Sequence, residues 1–366
     1  MISFARLSTR EYYCVYFFQR RGALGMSVKN VAVLGGGSFG TVIANIIANN
    51  NHTTLLWMRD SEQVKMLNEK HENTVYLPGY KLHRDVVATD DLEAAVRDVD
   101  LIFVAVPSGS FRQVVQQMKP LIHPDTILVS STKGIEAPNF KLMSQILEEE
   151  IPAARIAVMS GPNLAKEIAA NSPTGTVVAS HEADTVAEVQ HVLKSDSFRV
   201  YANGDMLGVE LGGSLKNIYA IIAGLADAVG MGNNSNAMLV TRSLTEMARF
   251  GVELGADPMT FLGLSGVGDL IATCSTPLSR NFRIGKALGE GRDIESVISE
   301  MDQVAEGVNT LKQVKEKADQ LGVHMPLVNG LYEIMYNNQT VDHIIKSIML
   351  ETQGLDVEFA ARKTLP

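Results

Sequence analysis

The sequence predicts a doubly wound α/β sheet followed by an all-helical domain, on three observations. Between Lys29 and about Ala179, short β-rich runs alternate with amphipathic stretches. The first of those runs, VAVLG at 31–35, leads at once into a glycine-rich turn and a helical pattern. After about Asp184 the β signals fade, and apolar residues recur at helical spacing.

The strand runs are VAVLG (31–35), TTLLW (53–57), LIFVAV (101–106), TILVSS (126–131), RIAVMS (155–160) and TGTVVAS (174–180). Continuous apolar runs of this length mark strands buried on both faces of a parallel sheet, and segments such as SGSFRQVVQQMKPLI (108–122) read as the covering helices. FRVYA at 198–202 is the last β signal. Beyond it, GDMLGVELGGSLKNIYAIIAGLADAVG, NAMLVTRSLTEMARFGVELG, AEGVNTLKQVKEKADQLG and PLVNGLYEIMYNN carry the helical pattern, several with glycine stops. A chain of 366 residues is too long for one ordinary core, so two domains are expected, at 26–203 and 204–352. No tandem repeat, low-complexity tract or long polar linker separates them, so they should pack closely around a cleft.

Residues 1–25 differ in pattern from the rest of the chain and read as a dispensable extension upstream of a start at Met26; residues 353–366 read as a tail. The apolar run YYCVYFF is too short to span a bilayer, and no small-residue cleavage site comes after it. With 46% hydrophobic and 20% charged residues the composition is that of a globular protein without integral membrane contact. The formal net charge of −9 argues against nucleic acid or an anionic membrane as partner, so an anionic ligand needs a local cluster of Lys and Arg. Cysteines are confined to Cys14 and Cys274 and the histidines are scattered, which implies a reduced, cytoplasmic setting and no metal site.

Gly35, Gly37 and Gly40 match G-x-G-x-x-G between the first strand and a helix starting near Ser38. The first glycine permits the tight turn, the second admits a pyrophosphate to the backbone, and the third lets helix and strand approach. The expected ligand is a dinucleotide. Arg59, followed by Asp60, stands at the end of the second strand, where a strict NAD site has an acid; a guanidinium there favours NADPH or dual use.

Three stretches put cations beside small or amide residues: STKGIE around Lys133, GGSLKN around Lys216 and SRNFR around Arg280. LAKEIA around Lys166 reads instead as an exposed helix face. Lys216 has a crowded apolar context, with Gly212 and Gly213 before it and Ile218, Tyr219, Ile221 and Ile222 after. A lysine in such a low-dielectric cleft is expected to have its pKa lowered toward neutrality, where it can protonate a carbonyl oxygen as hydride reaches the carbon. Asp269 and Thr273, four apart in SGVGDLIATCS, share a helix face where the carboxylate could orient the lysine.

The motifs GGGSFGT, NTVYLPG, STKGIE, SGPNLAKEIA, GVELGGSLKN, TRSLTEM, GVGDLIATC, SRNFRIG and VAEGV occur in this order. Over residues 28 to about 350 the chain thereby resembles the bacterial NAD(P)-dependent glycerol-3-phosphate dehydrogenases. The resemblance implies a Rossmann domain with a 6-phosphogluconate dehydrogenase-like helical domain, and reversible reduction of dihydroxyacetone phosphate to sn-glycerol 3-phosphate for phospholipid synthesis. It implies NADPH or NADH as cofactor and a homodimer. By position it makes Lys216 the proton donor or acceptor, with Asp269 and Asn217 in the same site. Lys133 would contact substrate and cofactor, Ser279, Arg280 and Asn281 the phosphate, and Gly161 and Asn163 the rest of the substrate. The cofactor contacts would be Gly35, Gly37, Ser38, Phe39, Gly40, Arg59, Lys133, Ala165, Arg280, Val304 and Glu306. The chain departs from the family in having Gly36 where alanine is frequent, Phe39 for tryptophan and Asn163 for serine or threonine; none of these removes a required group. Two other readings are a β-hydroxyacid dehydrogenase acting on a substrate such as 6-phosphogluconate, and a nucleotide-sensing binding protein whose cleft would lack a proton donor.

Overall fold

The computed structural model describes residue 28 and residues 30–299 and 306–350. The extension 1–25, the start at Met26, Val304 and the tail after 352 lie outside the described residues.

In chain order the first half runs β1 (Asn30–Leu34), α1 (Ser38–Asn49), β2 (Thr53–Trp57), α2 (Ser61–Lys70), β3 (Val86–Thr89), α3 (Leu92–Val96), β4 (Leu101–Val104), α4 (Ser108–Met118) and β5 (Ile127–Ser130). It continues with a small hairpin, β6 (Ile135–Glu136) and β7 (Lys141–Leu142), then α5 (Met143–Glu150), β8 (Arg155–Ser160), α6 (Ala165–Ala169), β9 (Thr174–Ala179), α7 (Ala183–Leu193) and β10 (Phe198–Asn203). Eight strands form one sheet in the order β10-β9-β8-β5-β4-β1-β2-β3. The order reverses at β1, so the crevice beyond the C-terminal ends of β1 and β4 is the point where doubly wound sheets take ligands.

Side-chain alternation explains the uninterrupted apolar runs. Val31, Val33, Leu101, Phe103, Ile127 and Val129 enter the core on one face of the sheet. Ala32, Leu34, Ile102, Val104 and Leu128 enter the core on the other. In these central strands neither face meets water, which is why their runs are apolar without alternation.

The sheet departs from the all-parallel expectation at one place: β8 pairs with β9 antiparallel, and β9 with β10 parallel. Between β8 and β9 lies only the short α6. β3 and the β6–β7 hairpin carry no sequence signal of their own, because runs of four and two residues hold little periodicity.

The helical half comprises α8 (Met206–Ala228), α9 (Asn233–Glu253), a 3-10 turn Pro258–Leu262, a π turn Leu264–Gly268, α10 (Asp269–Cys274), α11 (Arg280–Gly289), α12 (Ile294–Ser299), α13 (Glu306–Leu321), α14 (Pro326–Tyr336) and α15 (Val341–Leu350). α8 is buried on nearly every side and forms the axis of this half; its apolar residues are not confined to one stripe, as befits a core helix. It crosses α11 backbone to backbone: a Cβ on Gly224 would lie 1.9 Å from the Phe282 carbonyl oxygen, and one on Gly285 would lie 1.7 Å from that of Ile221. Among the described residues no helix is long and apolar enough to cross a membrane.

Two buried carboxylates act as joints. Glu210 on α8 accepts from the Ser144 backbone N–H (3.0 Å) and from the Ser144 hydroxyl at the start of α5, tying the helical axis to the sheet half. Glu246 on α9 accepts from Leu327 N–H (2.7 Å), Val328 N–H (3.4 Å) and the Tyr219 hydroxyl (3.2 Å), so it satisfies orphan donors at the start of α14. Burial pushes both carboxyls up to about 7, against the pull of those backbone donors.

A raised carboxyl pKa makes the native state bind the extra proton. The stability it contributes is full below the ordinary glutamate pKa and is lost as pH rises through about 7. Glu246→Gln cannot titrate, so its melting temperature relative to wild type should shift in the variant's favour between pH 5 and pH 8, as read by scanning calorimetry. A constant difference would show that Glu246 is ionised throughout.

Candidate active site

The glycine turn closes the C-terminal end of β1. Gly35 has φ +120°, in the left-handed region, and a Cβ there would lie 2.5 Å from the Ala105 carbonyl oxygen. A Cβ on Gly40 would lie 2.0 Å from the Gly35 carbonyl oxygen, so helix and strand touch at this point. Gly37, by contrast, faces open space. As the N-cap of α1 it offers no side-chain acceptor, and the first turn holds no acid, so the helix N–H groups are unspent and face an unobstructed approach. This cradle, at the reversal of strand order, suits the pyrophosphate of a dinucleotide. Ser38 donates its hydroxyl to the Tyr76 carbonyl at 2.7 Å, and Phe39 packs half-buried against the core.

Arg59 is exposed just beyond β2. Both Asp60 carboxylate oxygens are engaged at the start of α2: one accepts from Glu62 N–H and Gln63 N–H at 3.0 and 3.1 Å, the other from the Gln63 amide at 3.2 Å. The acid is spent on a helix cap and the guanidinium is left at the crevice.

Lys133 follows β5, Lys216 lies in the middle of α8, and Asp269 opens α10 just after the π turn. Their side chains meet. Lys216 Nζ donates to Asp269 Oδ1 at 2.8 Å and to Thr273 Oγ1 at 2.6 Å. Lys133 Nζ donates to Asp269 Oδ2 and, at 3.0 Å, to the Gly161 carbonyl. The Thr273 hydroxyl donates to the Asp269 carbonyl at 2.6 Å, one helical turn back. Asp269 is 1% exposed and Lys216 is 7% exposed, whereas 21% of the Lys133 side chain still reaches solvent. Burial pushes the Lys133 pKa down to about 8; Asp269 pulls it upward and Lys216 adds to the fall. Each ammonium has three donors, and two of each are taken. The cluster therefore presents two cations, one shared carboxylate and one uncommitted donor on each lysine.

Around it, Asn281 donates its amide to Asn217 Oδ1 at 3.0 Å and accepts from Gly307 N–H at 3.2 Å, a buried link from α8 through α11 to α13. Ser279 caps α11, its hydroxyl oxygen accepting from Phe282 N–H at 3.3 Å, and Arg280 is the first residue of that helix. Arg280 reaches solvent, yet partial desolvation pushes its pKa down against the pull of Glu306. A guanidinium at a helix N-terminus favours an anion twice over. Beside Gly161, the hydroxyl of Ser160 and Oδ1 of Asn163 are buried without a partner, while the Asn163 amide donates to Thr176 at 3.1 Å. Ala165 opens α6, half-buried.

Glu306 bridges the halves. It accepts from Ser108 N–H at 3.1 Å and from the Ser108 hydroxyl at 2.6 Å, capping α4, whose own N-cap is Pro107 and carries no acceptor. Sequence reasoning overlooked Ser108 and Glu210, whose partners lie far away in the chain. It named Thr273 only as a neighbour of Asp269, and the i, i+4 spacing was the available signal for its contact with Lys216. Cys274 is buried, and burial pushes its thiol up to about 12, so it serves as core and not as a nucleophile. Among the described residues no group of three or more His, Cys, Asp and Glu side chains could hold a metal ion.

Comparison with known proteins gives a consistent answer. The family model described as NAD-dependent glycerol-3-phosphate dehydrogenase N-terminus matches residues 30–186, and its C-terminus counterpart matches residues 205–346. The chain is 53% identical over 328 residues, 90% of its own length and 92% of the relative's, to glycerol-3-phosphate dehydrogenase [NAD(P)+] of Saccharophagus degradans. It is 55% identical over 329 residues, covering 90% and 96%, to the protein of the same name in Pseudomonas aeruginosa. The crystal structure of glycerol-3-phosphate dehydrogenase from Coxiella burnetii superposes with a TM-score of 0.84 at 36% identity, covering 88% of this chain and 99% of that one.

Gly40 and Gly37 should respond differently to a methyl group. Gly40→Ala should cost roughly 1–3 kcal/mol of stability through its collision with the Gly35 carbonyl. Gly37→Ala should fold with nearly the wild-type melting temperature, since nothing stands in its way, and lose anion binding instead. Thermal denaturation of both variants, with nucleotide binding measured on the second, checks the division.

Proposed function

The chain belongs to the NAD-dependent glycerol-3-phosphate dehydrogenase family, and from that premise we propose how its residues carry out the reaction. The protein is an NAD(P)-dependent oxidoreductase that interconverts dihydroxyacetone phosphate and sn-glycerol 3-phosphate, the backbone of glycerophospholipids. The observation that carries the residue assignment is the Lys216–Asp269–Lys133 cluster at the junction of the two halves.

Bound NADPH or NADH supplies the hydride and, as NADP or NAD, accepts it in the reverse direction. Residues 26–203 would hold it through Gly35, Gly37, Ser38, Phe39, Gly40, Arg59, Lys133 and Ala165, joined by Arg280, Val304 and Glu306 from the helical part, 204–352. The open face at Gly37 and the unspent N–H groups of α1 support this for the pyrophosphate. The exposure of Arg59, with Asp60 committed to its cap, supports acceptance of a 2′-phosphate.

Lys216 is the proton donor in reduction and the acceptor in oxidation. Asp269 and Thr273 take two of its N–H bonds and fix the ammonium, leaving the third for the substrate oxygen. As the carbonyl becomes an alkoxide, charge grows beside a cluster already carrying one excess positive charge, in a water-poor pocket where that field is strong. Arg280 and Asn281, with Ser279 at the N-terminus of α11, hold the substrate phosphate, so binding energy remote from the carbonyl aligns it. Lys133 places its remaining donor on the substrate, and Gly161 and Asn163 line the same wall; the unpartnered Oδ1 of Asn163 supports a hydrogen bond from a substrate hydroxyl. Asn217 keeps α8 in register with α11 through Asn281.

We also infer a cytoplasmic homodimer. The exposed apolar side chains of Met259, Leu262, Ile271 and Leu278 on the helical half support a partner surface, and light scattering should give about twice the 39.7 kDa chain mass.

Oxidation of NADPH or NADH, followed by nicotinamide absorbance, should require dihydroxyacetone phosphate. In Lys216→Ala, turnover should fall by about 10²–10⁴-fold or more, as expected for removal of a general acid from a polar cleft. A normal rate in that variant would reject the proton-donor assignment. The Lys133 ammonium must be charged to hold an anion, so kcat/KM for the triose phosphate should decline as pH rises through about 8. In Lys133→Arg that alkaline limb should move to higher pH, because a guanidinium does not titrate there.

A further inference from the structure

The stretch NTVYLPG, residues 73–79 between α2 and β3, has no part in the chemistry above, yet it is bonded directly to the glycine turn. Asn73 is 3% exposed. Its amide nitrogen donates to the Gly36 carbonyl at 2.8 Å and to Thr41 Oγ1 at 2.8 Å, which uses both of its N–H bonds. Its Oδ1 accepts from Tyr76 N–H at 3.0 Å. The Tyr76 carbonyl in turn takes the Ser38 hydroxyl at 2.7 Å. The segment itself is held by Leu77 and Leu82, buried in the core of the sheet half, and its ends are joined by the Glu72–Lys81 ion pair at 3.1 Å.

A turn that binds an anion through its N–H groups must keep its carbonyls pointing away from that anion. At Gly36 the backbone has no side chain to restrain it, and no helix or strand bond holds its carbonyl; the Thr41 hydroxyl reaches that oxygen only at 3.5 Å, and the short bond to it, 2.8 Å, comes from Asn73. We propose that Asn73 is a positioning residue for the cofactor: its side-chain amide fixes the Gly36 peptide so that the turn is preformed for the pyrophosphate of the bound nucleotide. This deepens the reading that NADPH or NADH binds at the glycine turn and rests on it. Asn73 never touches the reacting atoms. It acts through Gly36, and the effect belongs in cofactor affinity because the carbonyl chemistry takes place elsewhere, at Lys216.

The test measures NADPH binding by nicotinamide fluorescence, together with steady-state kinetics, on wild type, Asn73→Ala, Asn73→Asp and Thr41→Val. In Asn73→Ala the Kd and KM for NADPH should rise about tenfold, the worth of one hydrogen bond to a backbone group, with kcat at saturating NADPH and KM for dihydroxyacetone phosphate within about twofold of wild type. Asn73→Asp, close to isosteric, keeps the Tyr76 contact but sets a carboxylate oxygen against the Gly36 carbonyl, so its loss of affinity should be larger still. Thr41→Val removes the other acceptor of the amide and the long 3.5 Å bond from the Thr41 hydroxyl to the Gly36 carbonyl, but leaves the 2.8 Å bond from Asn73, so it should lose stability while its KM for NADPH stays within about threefold. Unchanged NADPH affinity in both Asn73 variants overturns the proposal, as does a fall in kcat and in the affinity for both substrates alike. Should Asn73→Ala fail to fold, Asn73→Asp decides by the same criteria. Absence of NADPH binding by wild type would instead overturn the nucleotide reading itself.

Discussion

A carboxylate at 1% exposure between two ammonium groups sets the terms for the rest of this molecule. An ionised Asp269 taken out of water needs compensation on both oxygens, and an uncompensated one would cost several kcal/mol. The two compensating lysines come from different halves: Lys133 from the loop after β5, Lys216 from the central turn of α8. The site is therefore complete only when the halves are docked. Other features serve the same end. The π turn at Leu264–Gly268 delivers Asp269 close to α8, and Gly212 permits the approach, since a Cβ there would lie 2.4 Å from the Ser265 carbonyl oxygen. Glu210 and Glu306 each reach across to cap a helix of the sheet half, at α5 and α4 respectively. A polar fastener between domains needs accurate geometry to gain anything over water, and such contacts favour one docked arrangement over neighbouring ones.

The electrostatics are local. The chain carries 41 acidic residues against 32 lysines and arginines, and at long range it repels the very ligands its family handles. Within the cleft the balance reverses. Lys133 and Lys216 meet there around the one carboxylate of Asp269, and Glu306 is spent on Ser108. Field lines concentrate in a crevice walled by low-dielectric protein, so a few cations outweigh a distributed negative surface at short distance. An acidic exterior is thus compatible with a doubly charged phosphate substrate.

How far the sequence could be read depended on whether the relevant interaction was local. The glycine turn was legible position by position, because the G-x-G-x-x-G spacing between a strand and a helix is a local pattern, even though the atom that excludes a side chain at Gly35 belongs to distant Ala105. The central strands were legible because burial on both faces leaves an unbroken apolar run. Lys216 and Asp269 were legible as candidates from their apolar and helical settings, and their pairing was expected, but the sharing of Asp269 with Lys133 was not, since it depends on how the two halves pack. The descent of the Lys133 pKa to about 8 belongs to the same class: it arises from burial and from the proximity of Lys216, both products of tertiary structure. The antiparallel β8–β9 pair escaped notice because side-chain pattern does not encode pairing direction. NTVYLPG was conspicuous as a string, yet nothing in it announced that Asn73 reaches back to Gly36. Val304 remains a proposal carried by resemblance, outside the described residues.

The backbone-to-backbone crossing of α8 and α11 has a consequence for how such an enzyme can change over generations. Where two main chains touch, no pair of compensating side chains can restore a lost fit, because there are no side chains at the contact to exchange. Drift at Gly224 or Gly285 is barred in both directions at once, and the spacing between Lys216 on one helix and Asn281 on the other is inherited as a fixed dimension. Diversification is then channelled to the rim of the nucleotide crevice, where Arg59 stands free of such packing. Residues there can change while the spacing of α8 against α11 stays frozen.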